Sequence, residues 1–137
     1  MTISVQPNAE ETLELASHFM AIVTTTAEQL QEAVDNGETP SNYFAIQAKQ
    51  ALLAAQIQTW VTEGIGIALD SAGQAVDAIN QATTLMNNAI NITKKIAVDV
   101  AVIGSFVDLA VAITSGQPQA IISKSTAFIA KLTSATA

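Results

Sequence analysis

Apolar positions recur along most of this 137-residue chain at alternating spacings of three and four, the signature of helices with one buried stripe. From Asn8, which would cap a helix carrying Glu10 and Glu11 in its first turn, the series runs Leu13, Ala16, Met20, Val23, Ala27, Leu30, Val34. Asn36-Gly37 ends it. Thr39-Pro40 starts a second helix whose stripe is Tyr43, Ile46, Gln50, Leu53, Ile57 and Trp60. The short connection makes these two an antiparallel hairpin. Gly64, Gly66 and Gly73 mark a break. A third helix, about 71–95, carries Ala75, Ala78, Ala82, Leu85, Ala89 and Ile92, flanked by Val76, Ile79, Met86 and Ile90. After Ser115-Gly116-Gln117-Pro118, residues 118–135 form a short helix with Ile121, Ile122, Phe128, Ile129 and Leu132, and with Lys124 and Lys131 off the stripe. The expected fold is a single all-α domain over residues 1–137, a bundle of three to four antiparallel amphipathic helices at about 8–36, 40–63, 71–95 and 118–135.

Residues 96–114, IAVDVAVIGSFVDLAVAIT, do not share that rhythm. Read as a helix, Asp99 and Asp108 fall on opposite sides and every face is apolar, which calls for burial. Read as a membrane span, ten large apolar residues contribute about −3 to −6 kcal/mol, and the two aspartates cost up to about 2.5–3.5 kcal/mol each. The terms nearly cancel. Read as a β-hairpin around Gly104-Ser105, Ile96, Val98, Val100, Val102, Val107, Leu109, Val111 and Ile113 share one face, with both aspartates on the other. Helix is the leading reading, because the neighbouring segments are helical; hairpin is the alternative. In either case Ile96, Val98, Val100, Val102, Ile103, Phe106, Val107, Leu109, Val111 and Ile113 are the candidate self-association or membrane segment. Asp99 and Asp108 are candidate buried or switch acids, since an unpartnered buried carboxylate would be costly.

Composition sharpens the expectation. Half the residues are apolar and 12% are charged, against about 25% charged in ordinary soluble domains. Ser, Thr, Asn and Gln take up the polar positions, and such a weakly charged surface favours association. All of the net charge of −7 sits in residues 1–38, which hold seven acids and no Lys or Arg. That argues against nucleic acid, which needs clustered basic residues. The N-terminus has no basic region followed by an apolar core, so no Sec signal peptide is read; cytoplasm or a signal-independent export route are both consistent with it.

Candidate chemistry is thin. No cysteine exists. His18, with Glu14 and Glu11 on the same helix face, is the one carboxylate–imidazole grouping, and its spacing suits a surface ion pair better than a metal site. No nucleophile elbow, phosphate loop or zinc spacing is found. No catalytic residue, cofactor, metal or small-molecule substrate is expected. The leading expectation is therefore a non-enzymatic structural subunit that self-assembles into a homo-oligomer or filament through its apolar stripes. The rival is a membrane-active, pore-forming component that inserts 96–114.

Overall fold

The computed structural model describes residues 9–65 and 72–136, and the described residues are all-helical, with no strand. Five α-helices appear: α1 (Ala9–Asp35), α2 (Tyr43–Glu63), α3 (Ala72–Ile92), α4 (Val100–Ser115) and α5 (Pro118–Thr136). A 3-10 turn at Lys94–Val98 joins α3 to α4. The helices pack in the cyclic order α1, α2, α4, α5, α3 and back to α1.

Local chemistry sets the ends. The N–H of Gly37 donates to Val34 and that of Glu38 to Ala33, closing α1 with the paired bonds that a left-handed residue at φ 75° allows. Gly116, at φ 70°, ends α4 in the same backbone region, and Pro118 opens α5, where a missing N–H costs nothing. The Asn8 cap and Gly66 lie outside the described residues. Gly73 is helical, within the first turn of α3. The start of α2 needs a correction: Pro40 belongs to the preceding turn, accepting from the N–H of Tyr43 at 3.2 Å, and Asn42 rather than Thr39 precedes the helix.

Residues 96–114 are neither a hairpin nor one helix. Asp99 divides them: its Oδ1 accepts from the N–H groups of Ala101 (3.1 Å) and Val102 (3.2 Å), capping α4. A carboxylate that satisfies two free N–H groups at a helix start contributes about 1 kcal/mol. This fixes the helix–turn junction that the alternation of apolar residues concealed. The segment therefore adds α4 to the helices read from periodicity.

Interhelical bonds give the relative directions. Gln50 of α2 donates to the Thr26 hydroxyl of α1 (3.3 Å), and Trp60 meets Phe19, so these two helices are antiparallel. Trp60 Nε1 donates to Thr114 Oγ1 at 2.8 Å, while further up α2 the Lys49 stem lies against Gly104; α2 and α4 therefore run parallel. The Gln29 amide of α1 donates to the Ile90 carbonyl of α3 at 2.9 Å. Helices α1 and α2 therefore run antiparallel while α2 and α4 lie side by side in the same direction, so the bundle is not antiparallel at every contact.

The core is built around four aromatic rings from four helices. Phe19 stacks on Phe106 with centroids 4.7 Å apart, meets Trp60 edge-on at 5.0 Å, and Phe106 in turn leans on Phe128 at 5.0 Å. All four are fully buried. Such pairs contribute roughly 0.5–1.5 kcal/mol each beyond the area they remove from water.

Candidate functional site

The stripe read for α2 is the one observed, with Ile46, Gln50, Leu53, Ile57 and Trp60 buried. Gln50 is tolerated there because Thr26 accepts its amide proton, and the Thr26 hydroxyl proton is taken by the carbonyls of Ile22 and Val23. In α1 the stripe is rotated from the expected one. Thr12, Leu15, Ala16, Phe19, Ile22, Thr26 and Leu30 face inward, while Leu13 is 52% exposed and Met20 also faces water. Two threonines on the true stripe hid it, and burial of the large Phe19 ring outweighs the tidier series that omits it. In α3 the residues read as flanks, Val76, Ile79, Met86 and Ile90, are buried together with Ala75, Ala82 and Ala89, whereas Ile92 at the helix end is 83% exposed.

Most of the candidate association segment is enclosed by its own chain. Ile96, Val102, Ile103, Phe106, Val107, Leu109 and Ile113 are buried, Val98 and Val100 are half-buried, and Val111 alone of the ten is exposed. The seven buried residues are core, packed among the other helices, and only Val111 offers substantial surface in this conformation. Of the candidate switch acids, Asp99 is the half-buried cap of α4 and Asp108 is exposed. Neither is a buried carboxylate without a partner, so the burial that a switch would need is missing at both. His18 and Glu14 are exposed on α1 and Glu11 is half-buried. Among the described residues no group of three or more His, Asp or Glu side chains converges as a metal site.

The apolar surface left in water lies elsewhere, on α2. Opposite its buried stripe, Phe44, Ala48, Ala51 and Ala55 recur at spacings of four, three and four, and Leu52 borders them; all five are exposed. Phe44 is 81% and Leu52 51% exposed. Tyr43 leans edge-on against Phe44 with centroids 5.4 Å apart and accepts a hydrogen bond from Gln47, which fixes the aromatic end of the face. The only charged residues of α2 are Lys49 and Glu63, and both lie to one flank of this face. The apolar face occupies the first part of α2 and stops at Ala55; Gln58, Thr59 and Thr62 continue the same side towards Glu63.

Neighbouring helices extend the face. On α1, antiparallel to α2, Leu13 and Met20 lie towards the Val61 end, and Val61 is itself exposed. On α4, Val111 is exposed beside α2. The sequence did carry a signal for this surface: between Lys49 and Glu63 no charge interrupts α2, so both of its sides are uncharged. Reading one stripe per helix passes over it.

Two open grooves lie at the other end of the ring. One, about 540 Å³, is bordered by Gln29, Glu32, Asn36, Asn42, Lys95 and Val98; the second, about 430 Å³, by Leu85, Ala89, Ile92, Ala135 and Lys95. No helix among the described residues is long and apolar enough to cross a membrane. Comparison of the chain with family models, curated proteins and solved structures gives no match.

Proposed function

We propose that this chain is a non-enzymatic helical subunit that self-associates through the outer face of α2. The observation that carries the proposal is that face: exposed Phe44, Ala48, Ala51, Leu52 and Ala55 with charge only at its flank.

Size decides how much of the neighbourhood must take part. Twenty-one helical residues span roughly 30 Å, and one helix presents a strip roughly 10 Å wide, about 300 Å² in projection. Stable interfaces bury about 800 Å² per partner. The α2 strip is too small alone, whereas three adjacent helices, α1, α2 and α4, reach the needed area. Leu13, Met20, Val61 and Val111 are the apolar positions that they add. Alanines at the centre let two backbones approach closely, while Leu52 and Phe44 supply most of the apolar area to be removed from water.

The alternative, a pore-forming role for 96–114, would require pulling Phe106 away from Phe19 and Phe128 and opening the core. Nothing in the arrangement favours that step over self-association. Sedimentation equilibrium from low to high micromolar concentration tests the proposal. Mass should rise with concentration, and the double variant L52E/A55E should stay monomeric with unchanged helical circular dichroism. Leakage of liposome contents by the wild-type chain at pH 5 or 7 would favour the alternative.

A further inference from the structure

The two charges of α2 specify how a second copy would sit. Lys49 and Glu63 are fourteen residues apart, about 21 Å along the axis and within about 40° of the same azimuth. Lys49 is half-buried on the flank next to α4, its stem against Gly104, and Glu63 lies exposed at the end of the same flank. Neither has an ion-pair partner among the described residues. They are opposite in sign and placed symmetrically about Gln56, the midpoint between them.

We infer that α2 pairs with α2 of a second copy, antiparallel about a two-fold axis beside Gln56, so that Lys49 of each copy meets Glu63 of the other. This rests on the self-association reading above and adds its geometry. A two-fold axis lying in the interface keeps the charged flank of both helices on the same side, so the antiparallel arrangement makes two equivalent ion pairs. A parallel arrangement about an axis along the helices would put the two charged flanks on opposite sides of the interface, where no Lys49–Glu63 pair can form. The contact is isologous and closes on itself, which makes the dimer its unit.

Ala55 then lies next to the axis. With helices about 8–10 Å apart, the Cα atoms of the two Ala55 residues would be roughly 4.5–6 Å apart, within disulfide reach. The two Ala48 residues would be about 24 Å apart along the axis. Because the chain has no cysteine, single cysteines report this directly.

The experiment oxidises A55C and A48C of the full chain, separately, at a concentration where wild-type mass shows association, and follows disulfide-linked dimer on non-reducing gels. The inference expects A55C to cross-link at least tenfold faster than A48C. Equal rates, or faster linkage of A48C, would overturn the antiparallel pairing while leaving self-association standing. A charge exchange gives an independent reading: K49E and E63K should each raise the dimer dissociation constant about tenfold, and K49E/E63K should restore it. Loss in the singles without restoration in the double would also overturn the pairing. Wild-type protein that stays monomeric at high micromolar overturns both this inference and the reading beneath it, and flotation of that monomer with neutral liposomes would assign the face to lipid.

Discussion

Helices α2 and α4 are equally lacking in charge, yet the fold treats them differently. Eight of the sixteen residues of α4 are buried, against five of the twenty-one in α2. On α4 the exposed residues are Ala101, Asp108, Val111, Thr114 and Ser115, whereas on α2 Phe44, Ala48, Ala51, Leu52 and Ala55 stay outside together. The difference comes from position. The stem of α4 carries Phe106 between Phe19 and Phe128 at the centre of the ring, and the preceding 3-10 turn covers its start. Among the described helices α2 packs chiefly against α1 and α4, both on its inner side. An apolar helix is therefore not by itself a sign of association; the proposal rests instead on an apolar patch that the other described residues leave uncovered.

The largest expected effect that separates the two regions is in the core. Phe106→Ala removes a ring in contact with two others and should cost about 3–5 kcal/mol in urea unfolding. Phe44→Ala, on the exposed side of α2, should leave the unfolding free energy of the monomer within about 0.5 kcal/mol. Comparable losses at both sites would erase the contrast. Next in size is the effect on assembly. Leu52→Glu places a charge on the free face, and light scattering on a sizing column should find the mass reduced to one chain while the thermal midpoint of that monomer is retained. Val111→Glu, at the margin of the face, should weaken association less.

A smaller change is expected at the junction that made α4 a separate helix. Asp99→Ala leaves two N–H groups without their acceptor and should destabilise by about 1 kcal/mol, while Asp99→Asn should keep most of the capping. Smallest is Ser125→Ala. The hydroxyl of Ser125 is buried on α5 without a hydrogen-bond partner, so its removal should be neutral or stabilise by up to about 1 kcal/mol in the same urea titration.

How far the fold was legible depended on the kind of residue carrying the signal. The α2 stripe could be read because its one polar member, Gln50, keeps the three–four spacing of the apolar ones. The α1 stripe was misread by about one position because Thr12 and Thr26 are buried in it, and a buried threonine that bonds back to the carbonyls of its own helix leaves no mark in a polarity pattern. The turns at Asn36-Gly37 and Gly116-Pro118 were plain, since glycine in the left-handed region and proline at a helix start act locally. The hairpin alternative for 96–114 arose because β-branched residues alternate there. Alternation does not reveal that Asp99 caps a helix, and that local cap, together with burial of Phe106 among its neighbours, set the outcome. The outer face of α2 went unread for a different reason: it is apolar on a helix whose first stripe had already been assigned.

The central claim is that the outer side of α2 is covered by another copy of the chain. Sedimentation equilibrium of the wild-type protein beside L52E/A55E, from about 1 to several hundred micromolar and without detergent, tests it most directly. The account predicts a concentration-dependent rise to at least twice the chain mass for the wild type and a single-chain mass throughout for the variant. A wild-type protein that keeps the mass of one chain across that range would contradict it.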